Sequence, residues 1–190
     1  MKIGLFFGSF NPIHNGHLII ANYICQTTDL DKIWFVVSPH NPLKNKESLL
    51  GEYDRLHLLN LAIEGNENLQ ASNIEFNLPK PSYTIDTLTY LKEKYPKHQF
   101  VLIMGSDNLA TLHKWKNYKL LINNYELLVY KRHNSAGNPF PENKNITILD
   151  FPFLDISATF IRANIKAGVS MQYLLPDKVW SYINETGWYR

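Results

Sequence analysis

Four short apolar runs constrain this chain more than any other feature: Lys2–Phe7 (KIGLFF), Lys32–Val37 (KIWFVV), Gln99–Met104 (QFVLIM) and Glu126–Tyr130 (ELLVY). Each is continuous rather than alternating, which is the pattern of a strand covered on both faces. Segments with helical spacing lie between them. Residues 17–27 place Leu18, Ala21, Ile24 and Cys25 on one side, and about Glu52 to Glu64 carries Leu56, Leu59, Leu61 and Ile63. A third helix starts at Ser82 or Thr84 and stops before Pro96, and Ile146–Leu149 makes a last short strand.

Strands alternating with helices imply an α/β fold, a Rossmann-like parallel sheet with helices on both faces. With 190 residues the expectation is one domain, 1–190. The polar stretch His133–Asn145 reads as a surface loop, too short for a domain boundary. The net charge of +2 gives no reason to expect a nucleic-acid or membrane partner. Cys25, the one cysteine, cannot form an internal disulfide, so a reducing compartment, the cytoplasm, is expected. No run approaches the roughly 20 apolar residues that cross a bilayer, and Met1–Phe10 does not read as a signal peptide. A homo-oligomer stays open.

In open parallel sheets ligands sit beyond the carboxyl ends of the strands, here the segments after Phe7, Val37, Met104 and Leu149. The first of these reads Gly8-Ser9-Phe10-Asn11-Pro12-Ile13-His14-Asn15-Gly16-His17. A glycine just after a strand lets the backbone approach a ligand closely. The helix starting near Asn15–His17 presents free N–H groups and a positive dipole end, a setting for phosphate. His14 and His17, three apart, can turn both imidazoles to one ligand, donate to phosphate oxygens and, when protonated, add charge. Two surface histidines are the plain alternative. Zinc is a second, without a third ligand in the motif to support it.

Near the other end, Ile156-Ser157-Ala158-Thr159-Phe160-Ile161-Arg162 places an N-cap candidate, Ser157, before a helix whose first turns hold Thr159 and Arg162. Hydroxyls, free N–H groups and a forked cation make a second phosphate cradle. The alternative is a capped amphipathic helix with a solvated arginine. Between these motifs lie Pro81-Ser82-Tyr83-Thr84, whose helix start suits a carboxylate, and Gly105-Ser106-Asp107 with Trp115 beyond it. Asp107 is placed to accept from ribose hydroxyls, and Trp115 to offer its face to an electron-poor ring or to serve the core. Lys44 is a phosphate clamp or a flexible surface lysine, and Arg55 opens a helix where an exposed arginine would be ordinary.

The first loop resembles the (H/T)xGH signature of the nucleotidyltransferase superfamily, and its form GxFxPxHxGH is similar to the nicotinate mononucleotide adenylyltransferases. Ile156–Arg162 resembles that family's IS(S/A)TxIR motif, Pro81–Leu88 its PSYTxxTL segment, and Arg55 stands at a position similar to one of the family's. The resemblance implies that His14, His17, Arg162 and Lys44 stabilise the reacting triphosphate. It implies ATP contacts from Gly8, Ser9, Phe10, Gly16, Gly105, Asp107, Ser157 and Thr159, and acceptor contacts from Ser82, Tyr83, Thr84 and Trp115. The implied reaction moves AMP from ATP to nicotinate mononucleotide, with Mg²⁺ carried in by the triphosphate. Nicotinamide mononucleotide or phosphopantetheine as acceptor, a cytidylyltransferase, and a nucleotide sensor without turnover are the other readings.

Overall fold

The computed structural model describes residues 1–39, 49–132, 137–151 and 155–190. Among them, six strands and seven α-helices follow one another as β1 (Lys2–Gly8), α1 (Asn15–Thr27), β2 (Lys32–Val37), α2 (Glu52–Ile63), β3 (Leu69–Ser72), α3 (Thr84–Lys94), β4 (Gln99–Gly105), α4 (Ser106–Thr111), α5 (Tyr118–Asn124), β5 (Glu126–Tyr130), β6 (Ile146–Leu149), α6 (Ala158–Lys166) and α7 (Asp177–Thr186). Short 3₁₀ turns lie at Ile74–Asn77, Leu112–Lys114 and Gln172–Leu174. All strand pairs are parallel, in the order β3-β2-β1-β4-β5-β6. The fold is Rossmann-like: the order reverses between β1 and β4, and that reversal opens a crevice at their carboxyl ends.

The continuous apolar runs are explained by two core layers, one on each face of the sheet. Ile3 and Leu5 of β1, Trp34 and Val36 of β2, and Leu102 and Met104 of β4 point to one layer, covered by α3, α4 and α5. Phe6, Phe35 and Ile103 point to the other, under α1, α2, α6 and α7. Successive residues of the central strands β1, β2 and β4 thus serve opposite layers, and little of either face of those strands is left for water. Full burial of such a side chain contributes about 1.5–3 kcal/mol.

The expected bounds agree with the observed ones to within a residue or two for β1, β2, α2, β4, β5 and β6, and α3 starts at Thr84. Four elements have no counterpart in the sequence reading. The edge strand β3 has four residues and buries only Leu69, so it lacks an apolar run. Helices α4 and α5 have six and seven residues, too few for a repeating stripe. Helix α7 carries a legible pair four apart, Val179 and Ile183, both buried.

Candidate active site

The polar motifs converge where the strand order reverses. A cleft of about 810 Å³ opens there, lined from β1 and its loop by Gly8, Ser9, Phe10, His14 and His17, and from β4 onward by Gly105 and Asp107. Such a volume suits small-molecule ligands. The loop after β1 turns through Phe10, whose φ of 45° is left-handed. Its ring packs against Phe6, Phe35 and His17, is 2% exposed, and lies where a Cβ on Gly8 would fall, at 2.8 Å. Glycine at position 8 thus makes room for the ring. Phe10 is consequently a core side chain, and only its backbone is left to meet a ligand.

His14 is the N-cap of α1, and its ring stacks on that of His17 with centroids 3.7 Å apart. The His14 backbone N–H donates to His17 Nδ1 at 3.4 Å, which assigns the neutral His17 proton to Nε2 as a donor. His14 is 3% exposed, and its Nδ1 is buried with no hydrogen-bond partner among the described residues. Burial, with the Arg132 cation adding to it, holds the His14 pKa down to about 3, against an ordinary 6.5. At neutral pH His14 is therefore a neutral imidazole, and the charge that protonation would add is not supplied by this ring. Gly16 lies in the first turn of α1 and lines a small hollow with both histidines and Ile156.

The closing motif enters from the far end of the chain. Ser157 caps α6 by accepting the Phe160 N–H at 3.2 Å, and Thr159 Oγ1 accepts from Arg162 at 3.4 Å. The other arm of the same guanidinium donates to the Asn11 carbonyl at 2.7 Å, inside the first loop. Ser157, Thr159 and Arg162 line the same cleft as the imidazoles. Motifs separated by about 150 residues are therefore tied by one arginine.

The match to known proteins follows this arrangement. The model of the cytidylyltransferase-like family covers residues 5–164, from inside β1 to inside α6. The chain belongs to that family. Its relatives include a probable nicotinate-nucleotide adenylyltransferase of Flavobacterium psychrophilum, 53% identical over 192 residues and spanning the whole of both chains. The protein of the same name from Bacillus licheniformis is 38% identical over 189 residues, covering 99% of this chain and 98% of its own. Among solved structures, the Plasmodium falciparum nicotinic acid mononucleotide adenylyltransferase complexed with NaAD superposes with a TM-score of 0.85. It covers 99% of this chain and 97% of its own at 18% identity, a likeness of fold.

In this member of the cytidylyltransferase-like family the second half of the cleft is built by α3 and the segment after β4. Tyr83 is the N-cap of α3, and Ser82, Tyr83, Thr84 and Trp115 all face the cleft, Trp115 also packing partly into the core. Ser82 Oγ donates to Glu75 at 3.1 Å. Asp107 is paired with Arg132 at 3.5 Å, and a Cβ on Gly105 would collide with its Oδ1. Lys44 lies outside the described residues.

Several residues at the site escaped the reading of the sequence. Arg132 follows β5 and lines the cleft, so the rule of strand carboxyl ends could have found it. Lys116 sits 4.8 Å over the Tyr83 ring while paired with Asp86 at 2.7 Å, and nothing in its local sequence marks it. Of the two readings open for Arg55, a position similar to one of the family's or an exposed helix arginine, the second does not hold. Arg55 is 0% exposed, and its guanidinium donates to four carbonyls: Ser9 at 2.6 Å, Ser38 at 2.9 Å, Leu50 at 3.0 Å and Pro39 at 3.2 Å. It clamps the loops after β1 and β2 to the start of α2. No described group of three or more His, Cys, Asp or Glu side chains could hold a metal ion, so the zinc reading finds no ligand set among the described residues.

Proposed function

We propose that this chain transfers the adenylyl group of ATP to nicotinate mononucleotide, releasing pyrophosphate and forming nicotinate adenine dinucleotide for NAD synthesis. The observation that carries the reading is the Arg162 bridge to Asn11, which sets the guanidinium and both imidazoles on one cleft. Relatives at 38–53% identity carry this enzyme's name over their full length.

The acceptor's phosphate oxygen attacks the α-phosphorus of ATP in line. A new P–O bond forms, the α–β bridging bond breaks, and its electron pair leaves with pyrophosphate. Such a transfer needs alignment and charge stabilisation more than a covalent partner. His17 Nε2 and the Arg162 fork meet the charge growing on the β and γ phosphates, with the hydroxyls of Ser157 and Thr159 and the α6 N-terminus beside them. His14 acts as a neutral donor until the triphosphate's own charge favours its protonation. Gly8, Ser9, Phe10 and Gly16 supply backbone around the nucleotide, Gly105 and Asp107 flank its ribose, and Lys44 adds a phosphate contact. No step runs through a protein-held metal, and Mg²⁺ comes as part of the Mg-ATP substrate.

On the acceptor side, the N-terminus of α3 with Ser82, Tyr83 and Thr84 meets the nicotinate carboxylate, and Trp115 covers the pyridine ring. The lone Cys25 fits a cytoplasmic setting, with small molecules rather than nucleic acid or membrane as partners. The test is to incubate the protein with Mg-ATP and nicotinate mononucleotide, nicotinamide mononucleotide or phosphopantetheine, and to follow pyrophosphate. The expected order places nicotinate mononucleotide first. Turnover of neither pyridine nucleotide would overturn the reading.

A further inference from the structure

Glu75 is a carboxylate buried to 2% exposure in the 3₁₀ turn Ile74–Asn77, and it takes no part in the chemistry above. Three hydroxyls from separate stretches of chain converge on it. Thr87, in α3, donates to Oε1 at 2.8 Å, and Ser82, just before α3, donates to Oε2 at 3.1 Å. Ser38, in the loop after β2, supplies the third side-chain hydrogen bond. The Ser38 carbonyl in turn accepts from Arg55, whose other bonds reach Ser9 in the first loop.

Burial pushes the Glu75 carboxyl up from its ordinary range and the three hydroxyls work against that shift, with no cationic partner among the described residues. Each donor is thereby fixed in place, because releasing one leaves a buried carboxyl oxygen short of a partner. Ser82 and Thr87 bracket Tyr83 and Thr84, the residues that open α3 onto the cleft. We propose that Glu75 is the positioning residue of the acceptor site: by holding Ser82, Thr87 and Ser38 together, it sets the α3 N-terminus at the spacing from the first loop that the acceptor needs. The inference rests on the adenylyl-transfer reading, which identifies that segment as the acceptor's.

The test compares Glu75→Gln, Thr87→Val and Thr87→Ser with the parent. Gln has one carbonyl oxygen, so at least one hydroxyl loses its acceptor. Val keeps the shape of Thr87, which does not line the cleft, but removes a donor, and Ser restores it. The expected result for Glu75→Gln is a rise of about tenfold in KM for nicotinate mononucleotide, with kcat and the KM for ATP within about twofold of the parent. Thr87→Val should follow it, and Thr87→Ser should recover. An acceptor KM that stays within twofold in folded Glu75→Gln and Thr87→Val would overturn the proposal, as would an equal rise in both KM values. If Glu75→Gln does not fold, the contrast between Thr87→Val and Thr87→Ser decides. Amide exchange across 82–87 separates this proposal from the function it rests on. A parent inactive on pyridine nucleotides refutes the activity, whereas unchanged exchange in Thr87→Val refutes the positioning whatever the activity.

Discussion

Replacing Arg55 by Met tests whether a buried cation organises the floor of this site. Met keeps an unbranched apolar stem but is shorter by the guanidinium head, and the change removes all donors at once. The carbonyls of Ser9, Ser38, Pro39 and Leu50 then lose partners now at 2.6–3.2 Å. A fully buried acceptor left unpaired costs about 1 kcal/mol or more, and because one of these bonds is buried and three are part-buried, the four together cost up to about 4 kcal/mol. Part is offset because a guanidinium no longer has to be desolvated, leaving a net loss of about 2–3 kcal/mol. For a chain of this length each 1 kcal/mol moves Tm by about 2–4 °C, which gives a drop of about 5–10 °C. Calorimetry and urea unfolding should agree on it, and because Ser9 lies in the loop proposed to bind ATP, KM for ATP should rise in the protein that remains folded. A Tm within about 2 °C of the parent would refute the reasoning and show that water replaces the arginine without loss.

His17→Ala should lower kcat by about 10²–10³, the typical cost of one lost donor to a developing charge, with Tm within a few degrees. Near-full turnover in a folded variant would remove the proposed role. Trp115→Ala should weaken nicotinate mononucleotide far more than ATP in binding titrations, and an equal loss for both would make the tryptophan structural. His14 gives a pH effect whose sign is fixed by its lowered pKa. Above pH 6.5 it is neutral in both folded and unfolded chains and has no effect, whereas below 6.5 the unfolded chain takes up a proton that the folded one refuses down to about pH 3. Stability should therefore fall as the pH drops, by about 2 kcal/mol at pH 5 from this residue. In His14→Gln the difference between urea midpoints at pH 7 and pH 5 should shrink accordingly, and an unchanged difference would show that His14 can be protonated in place.

Much of this architecture was legible because the cues were strong. KIWFVV and ELLVY can only be strands covered on both sides, and β2 and β5 occupy just those residues. The Gly8–His17 loop and Ile156–Arg162 stood out as the proposed phosphate site because such a site asks for recognisable groups at a helix start. What escaped was fixed by tertiary contact. Arg55 stands in a helix sequence that resembles a solvent-facing one, and only the loops packed over it show where its four acceptors lie. Glu75 and Lys116 likewise have no local mark, since the hydroxyls on one and the Tyr83 ring under the other arrive from other elements. The burial of the Phe10 ring was hidden for the converse reason. Its place in a ligand loop hid the left-handed turn that sends its ring inward.

The loop that carries the histidines is short, and its own backbone does not account for a fixed shape. Asn11 supplies the missing restraint by accepting from three distant segments. The Arg162 guanidinium from α6 reaches its backbone carbonyl, while the Tyr189 hydroxyl at 2.7 Å and the Leu50 N–H at 3.3 Å reach its side-chain oxygen. Arg55 holds the preceding residue but one, Ser9, from below. A loop gripped from α2, α6 and the segment after α7 cannot take its final geometry until nearly the whole chain is in place. The fold itself therefore holds the two imidazoles in their stacked arrangement, and for the proposed function little binding energy would go into ordering them.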